Sequence, residues 1–170
     1  MKHLRDLLDR VVGGLCAALL LALVGVLTWQ VLSRYALNAP STYSEEILRY
    51  GVIWLSLLGA AYATGQGTHM CVDLLREFSS GWRKRALEFL VPLGLMAFAS
   101  VTLIYGGYKA TAIAARQVSS VMQIPMSWVY LALPVGGTLM ILYCLLNLYD
   151  LITGTRDLPD AAERAVAAGD

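Results

Sequence analysis

Charge along this chain comes in clusters, and four long stretches between the clusters carry none. Residues 11–33 are uncharged between Arg10 and Arg34, and residues 50–68 are uncharged between Arg49 and His69. Residues 89–108 lie between Glu88 and Lys109, and residues 117–149 between Arg116 and Asp150. About 20 apolar residues cross the hydrocarbon of a bilayer, so each of the first three blocks predicts one membrane-spanning helix. The fourth block is too long for one crossing. It opens with the loop-like Gln117-Val118-Ser119-Ser120, and its span is placed at 127–149. The expected fold is an all-α integral membrane protein with four transmembrane helices, at 11–33, 44–68, 87–108 and 127–149, and short interfacial amphipathic helices. These make one membrane domain over residues 1–153. From Gly154 the chain is rich in Ala, Asp and Gly, which predicts a disordered tail over 154–170. Lys2, Arg5 and Arg10 resemble the start of a secretory signal, but the 23 uncharged residues of 11–33 exceed the roughly 7–15 of a signal's apolar core. They are read as a retained span.

The second block has the most informative edges. It is preceded by Thr42-Tyr43-Ser44-Glu45-Glu46 and followed by His69-Met70-Cys71-Val72-Asp73. Thr42 and Glu45 have capping-box spacing, and acids near a helix N-terminus complement its dipole. Asn38-Ala39-Pro40-Ser41 predicts a turn that brings Arg34 within reach of Glu45 and Glu46. Arg49 stands four residues after Glu45 and three after Glu46, where helical neighbours pair. Two readings stay open here, a partly desolvated ion network and a solvated interfacial cluster. His69 and Asp73, also four apart, are expected to share a helix face at the opposite end.

Smaller features refine the picture. Leu4, Leu7, Leu8, Val11 and Val12 form an amphipathic stripe, read as an extension of the first span. Gly14, Ala18 and Ala22, and again Gly59, Ala63 and Gly67, have the small-residue spacing of helix–helix seams in lipid. Cys71, Leu74, Leu75, Phe78 and Trp82 beside Arg76, Arg83, Lys84 and Arg85 predict a helix lying on the membrane surface. Pro92 is placed in the first turns of the third span, where proline is tolerated. Gly106-Gly107 is expected to allow a close contact, and Pro134 to kink the fourth span because it cannot donate to the Tyr130 carbonyl.

Composition supports this reading. Hydrophobic residues make up 58% of the 170, against about 45–50% in soluble domains, and mean hydropathy is +0.61. A net charge of +1 gives no basis for a nucleic-acid partner. Orientation follows the excess of Lys and Arg on the cytoplasmic side. Lys2, Arg5, Arg10, Arg76, Arg83, Lys84, Arg85, Arg156 and Arg164 fall on one side, and Arg34, Arg49, Lys109 and Arg116 on the other. Both termini are therefore expected in the cytoplasm.

Several chemistries lack their residues. Cys16, Cys71 and Cys144 are scattered, which predicts neither a disulfide nor a metal cluster. A membrane haem carrier needs axial ligands inside its spans, whereas His3 and His69 sit at interfaces. No cofactor is expected, nor is enzymatic activity. A self-sufficient transporter keeps ionisable groups or broken helices near the midplane. None of the predicted spans has an Asp, Glu, Lys, Arg or His at depth.

The order and placement of these residues resemble the small membrane subunit of tripartite ATP-independent periplasmic (TRAP) transporters, the DctQ-like family. The similar features are Arg34-Tyr35, Glu45-Glu46, Gly59-Ala60, Gly67 with His69 and Asp73, and Ile124-Pro125-Met126 followed by Trp128, Tyr130 and Pro134. Tyr43 departs from the pattern, where a Trp is expected. The resemblance implies a bacterial inner-membrane transporter of three parts. A periplasmic binding protein captures an organic acid such as a C4-dicarboxylate or sialic acid. A large membrane subunit holds the substrate and Na⁺ sites. The small subunit, among membrane lipids, scaffolds the large one. Arg34, Glu45, Glu46, Arg49, His69, Asp73, Pro125, Trp128, Tyr130 and Pro134 are then the structural or partner-interface candidates. The competing expectation is an autonomous transporter or channel that assembles from copies of this chain.

Overall fold

The computed structural model describes residues 2–38, 41–66 and 82–153. Four of its helical stretches are long and apolar enough to cross a membrane: Arg5–Tyr35, Thr42–Gln66, Phe89–Ala114 and Ser127–Ile152. Helix α1 (Lys2–Tyr35) runs unbroken, so the early amphipathic stripe is indeed an extension of the first span. Helix α2 (Thr42–Gln66) follows a turn in which Asn38 takes a positive φ of 51°. The third span is composite. It joins α3 (Trp82–Phe98), a π-helical segment (Ala99–Gly106) and α4 (Gly107–Ala114). The fourth comprises a single turn, α5 (Ser127–Tyr130), and α6 (Ala132–Ile152).

Proline explains the break between α5 and α6. Pro134 has no N–H for the Tyr130 carbonyl, and the helix is interrupted at Leu131, three residues upstream. Pro134 thus falls in the first turn of α6, where a missing donor costs little. Pro92 corrects the expectation, since α3 starts at Trp82 and Pro92 lies inside it. The cap of α2 is also one residue earlier than predicted. The Ser41 hydroxyl, not that of Thr42, accepts from the Ser44 hydroxyl at 2.9 Å and the Ser44 N–H at 3.4 Å.

The helices alternate in direction, so the start of α1 and the ends of α2 and α6 lie together at one end, below the Arg5 end. The other, the Glu46 end, carries the turn after α1 and the loop before α5. Span four is the hub. In its most apolar stretch 44% of residues are buried, against 11–17% in the other three. A glycine pair makes this possible. A Cβ on Gly136 would lie 3.0 Å from Leu57 Cβ of α2, and one on Gly137 only 2.7 Å from Leu103 Cβ of the π segment. Two neighbours therefore approach α6 on adjacent sides, and Ala61, Ala99, Leu103, Met140 and Cys144 form the core between them. Span three thus lies beyond span four, although it follows span two in sequence.

Helix α1 packs on α2 through a narrow stripe that includes Val12, Leu23 and Ser33, with Leu23 over Gly51 and Tyr62 against Gly13. Among the described residues, the predicted seam of Gly14, Ala18 and Ala22 is not used inside the chain, nor is Gly59 of the second. Gly14 and Gly59 have no neighbour within 4 Å of a built Cβ, and Ala18 and Ala22 are exposed. Spacing identifies a face, but in lipid every face is apolar and spacing does not say which one meets a helix. Ala63 is half-buried, and Gly67 lies outside the described residues. Gly107 does make the predicted close contact, 2.7 Å from Leu133 Cβ for a built Cβ. The surface-helix stretch 71–81 and the tail 154–170 also lie outside the described residues.

Candidate functional site

Two polar clasps fasten the helices to one another, one at each end. At the Glu46 end, residues 117–126 fold into a small hairpin-like loop. Val118 pairs with Pro125, the Ser119 N–H donates to the Ile124 carbonyl at 2.9 Å, and the Met126 N–H donates to the Gln117 carbonyl at 2.9 Å. Gln123, at φ 54°, closes the turn. Glu46 reaches this loop from the first turns of α2. Its Oε2 accepts from the Ser119 hydroxyl at 2.6 Å and the Met122 N–H at 3.0 Å, and its Oε1 from the Val121 N–H at 3.0 Å. Glu46 and Ser119 are both buried. A buried carboxylate needs partners, and here all the donors are neutral groups of one loop.

At the Arg5 end, one guanidinium joins three helices. Arg5 Nη1 donates to Asp150 Oδ2 at 2.6 Å, and Nη2 donates to Asn147 Oδ1 at 3.0 Å and to the Gly65 carbonyl. Asn147 in turn donates to the Thr64 carbonyl at 2.8 Å. Side chains of α1 and α6 thus donate to two carbonyls in the last turn of α2, those of Thr64 and Gly65. Asp9 lies 3.9 Å from Arg5 Nε. The Tyr143 hydroxyl is turned toward the Asp9 carboxylate, yet Tyr143 Oη and Asp9 Oδ1 are buried and close no hydrogen bond among the described residues.

The fold separates the sequence candidates. Arg49 pairs with Glu45 at 3.1 Å as its spacing predicts, and both side chains are more than half exposed. Glu46 is not part of that pair. Arg34 is exposed, and among the described residues no ion pair joins it to either acid, so of the two open readings the desolvated network of Arg34 with both acids is not formed. Glu46 faces the loop instead. Pro125 and Trp128 are exposed on that loop and the turn after it, Tyr130 is 37% exposed, and Pro134 is half-buried in α6. His69 and Asp73 lie outside the described residues.

Sequence reading missed Arg5, Asn147, Asp150 and Ser119. One signal was present: Arg5 precedes Val12 by seven residues and so shares its buried stripe. No group of three metal-ligating side chains occurs among the described residues. Hydroxyls within the spans are used locally: Thr28, Thr64, Ser100, Thr111 and Thr138 each donate to the carbonyl four residues earlier. The arrangement can hold helices in register. It presents no row of free polar groups along any span described.

The two adjacent acids should behave differently. Glu45→Gln is expected to change stability by less than about 0.5 kcal/mol, as for exposed pairs. Glu46→Gln puts an amide N–H₂ against amide and hydroxyl donors, and is expected to lower the thermal midpoint clearly. Unfolding of the purified variants in detergent, followed by circular dichroism, checks both. Equal midpoints would contradict the assignment.

Comparison with known proteins adds independent findings. Residues 23–154 match the family described as tripartite ATP-independent periplasmic transporters, DctQ component. The chain is 30% identical over 153 residues to the sialic acid TRAP transporter small permease protein SiaQ of Vibrio cholerae, covering 89% of this chain and 87% of that one. It is 31% identical over 102 residues to the C4-dicarboxylate TRAP transporter small permease protein DctQ of Rhodobacter capsulatus, covering 58% and 44%. It is 27% identical over 141 residues to the sialic acid TRAP transporter permease protein SiaT of Haemophilus influenzae, covering 82% of this chain but 22% of that one.

Proposed function

We propose, because the chain belongs to the DctQ component family of the tripartite ATP-independent periplasmic transporters, that it is the small permease subunit of such a transporter and braces a large transport subunit. The transporter would take up an organic acid by Na⁺-coupled symport, with the solute delivered by a periplasmic binding protein. The observation that carries this reading is the placement of polar chemistry. The tertiary polar contacts of the described residues gather at the two ends, where they tie helices together. Between them, the hydroxyls of Thr28, Thr64, Ser100, Thr111 and Thr138 are bonded within their own helices. An apolar body with exposed faces, fastened at both ends, suits a static support.

Two further findings support a larger partner. The region matched in SiaT is 22% of a much longer permease chain. Large apolar side chains such as Leu21, Leu90, Val101 and Tyr105 are exposed, as surfaces facing lipid or another membrane protein must be. By the distribution of Lys and Arg, the Arg5 end faces the cytoplasm and the Glu46 end the periplasm. Arg34, Pro125, Trp128 and Tyr130 are then at the periplasmic surface, where either partner or lipid headgroups can reach them.

The test is co-purification. Expressed with a large TRAP permease subunit from the same source, the chain should elute with it in mild detergent as one stable species. Elution as separate species, or as a homo-oligomer indifferent to the large subunit, would overturn the reading in favour of an autonomous channel.

A further inference from the structure

The loop clasped by Glu46 is a receptor for its carboxylate. Two successive N–H groups, of Val121 and Met122, and the Ser119 hydroxyl converge on it at 2.6–3.0 Å, and Ser119 Oγ is itself 3.2 Å from the Met122 N–H. Successive backbone N–H groups in a turn make an anion-binding concavity. The donors come from one short loop, and the acceptor comes from a helix more than 70 residues earlier in sequence. The receptor and its occupant are therefore separable parts.

We infer that the turn at 119–122 is a binding site for a small carboxylate anion, with Glu46 as its tethered resident. In the wild-type chain the tether keeps the effective concentration of Glu46 high, so free anions do not displace it. The site becomes accessible when the resident carboxylate is removed. Glu46→Ala deletes a methylene and a carboxylate, a group the size of acetate, and leaves the donors in place. The inference concerns the chain's own chemistry and does not rest on the partner proposed above.

The experiment is amide hydrogen exchange on the full-length chain in detergent, read on peptides covering 117–126, with circular dichroism as the check of fold. The wild type should show slow exchange that acetate does not change. Glu46→Ala should exchange at least about tenfold faster in this loop, with the spans unchanged. Acetate should restore its protection saturably, whereas acetamide and chloride at the same concentration should not. Glu46→Gln should also exchange fast but ignore acetate, because its amide fills the space. A folded Glu46→Ala variant whose loop ignores acetate would overturn the inference, as would equal restoration by chloride or acetamide. Ser119→Ala keeps the carboxylate and serves as the second variant should Glu46→Ala lose its fold. Its loop should exchange faster than wild type but slower than Glu46→Gln, and wild-type exchange would overturn the assigned donor set.

Discussion

Arg5→Ala is expected to cost about 3 kcal/mol of stability, because removing one member of a largely buried ion pair strands the other. The loss reaches further than Asp150. The Gly65 carbonyl and Asn147 Oδ1 also lose the guanidinium as a donor, at a point where α1, α2 and α6 meet. Arg5 and Asp150 side chains are only 14% and 19% exposed, so water replaces little of what is lost. Asp150→Asn should cost less, since its amide oxygen can still accept from Arg5. Unfolding of purified variants by a denaturing detergent, followed by circular dichroism, measures both. An Arg5→Ala variant as stable as wild type would remove the clasp from the account.

Gly65→Ala is the second large effect, about 2–3 kcal/mol or more by overpacking. A Cβ there would lie 2.9 Å from Tyr143 Cγ and closer still to two other ring carbons. The ring cannot retreat, because Tyr143 is fully buried. Gly51→Ala offers the contrast. The atoms its Cβ would meet are the methyl ends of Leu23, which can turn aside, so its cost should be well below that of Gly65→Ala. Tyr143→Leu in the Gly65→Ala background should recover part of the loss. Midpoints of the two single variants and the pair check the ranking, and equal costs at Gly51 and Gly65 would refute it.

These two sites mark the boundary of what the chain's pattern discloses. The number of spans was legible, because the charge-free blocks are set by the hydrocarbon's intolerance of ions. The Arg49–Glu45 pair, the turn at Asn38 and the break before Pro134 were legible too, since each depends on residues a few positions apart. The partners of Glu46 and Arg5 were not. The tertiary ones lie 60 to 145 residues away, and local spacing carries no information about them. The early amphipathic stripe leaves out Arg5, although its register with Val12 places it on the buried side. The eight-residue π segment left no periodic signature that distinguished it from α-helix.

Glu46 illustrates why residue type alone misleads at such a site. It neighbours a second acid, with Arg49 three residues on and Arg34 twelve residues before, and ion pairing is the natural expectation. The fold gives it neutral donors from the loop instead, and leaves the ion pair to Glu45 and Arg49. The acid that looks more redundant is the one that joins two parts of the molecule.

The most direct measurement of the central claim is solute uptake by proteoliposomes in a sodium gradient, with the binding protein supplied outside. The account predicts uptake when this chain and the large subunit are reconstituted together, and none from this chain alone. Solute accumulation by this chain alone, or full binding-protein-dependent uptake by the large subunit without it, would contradict a supporting role for these four helices.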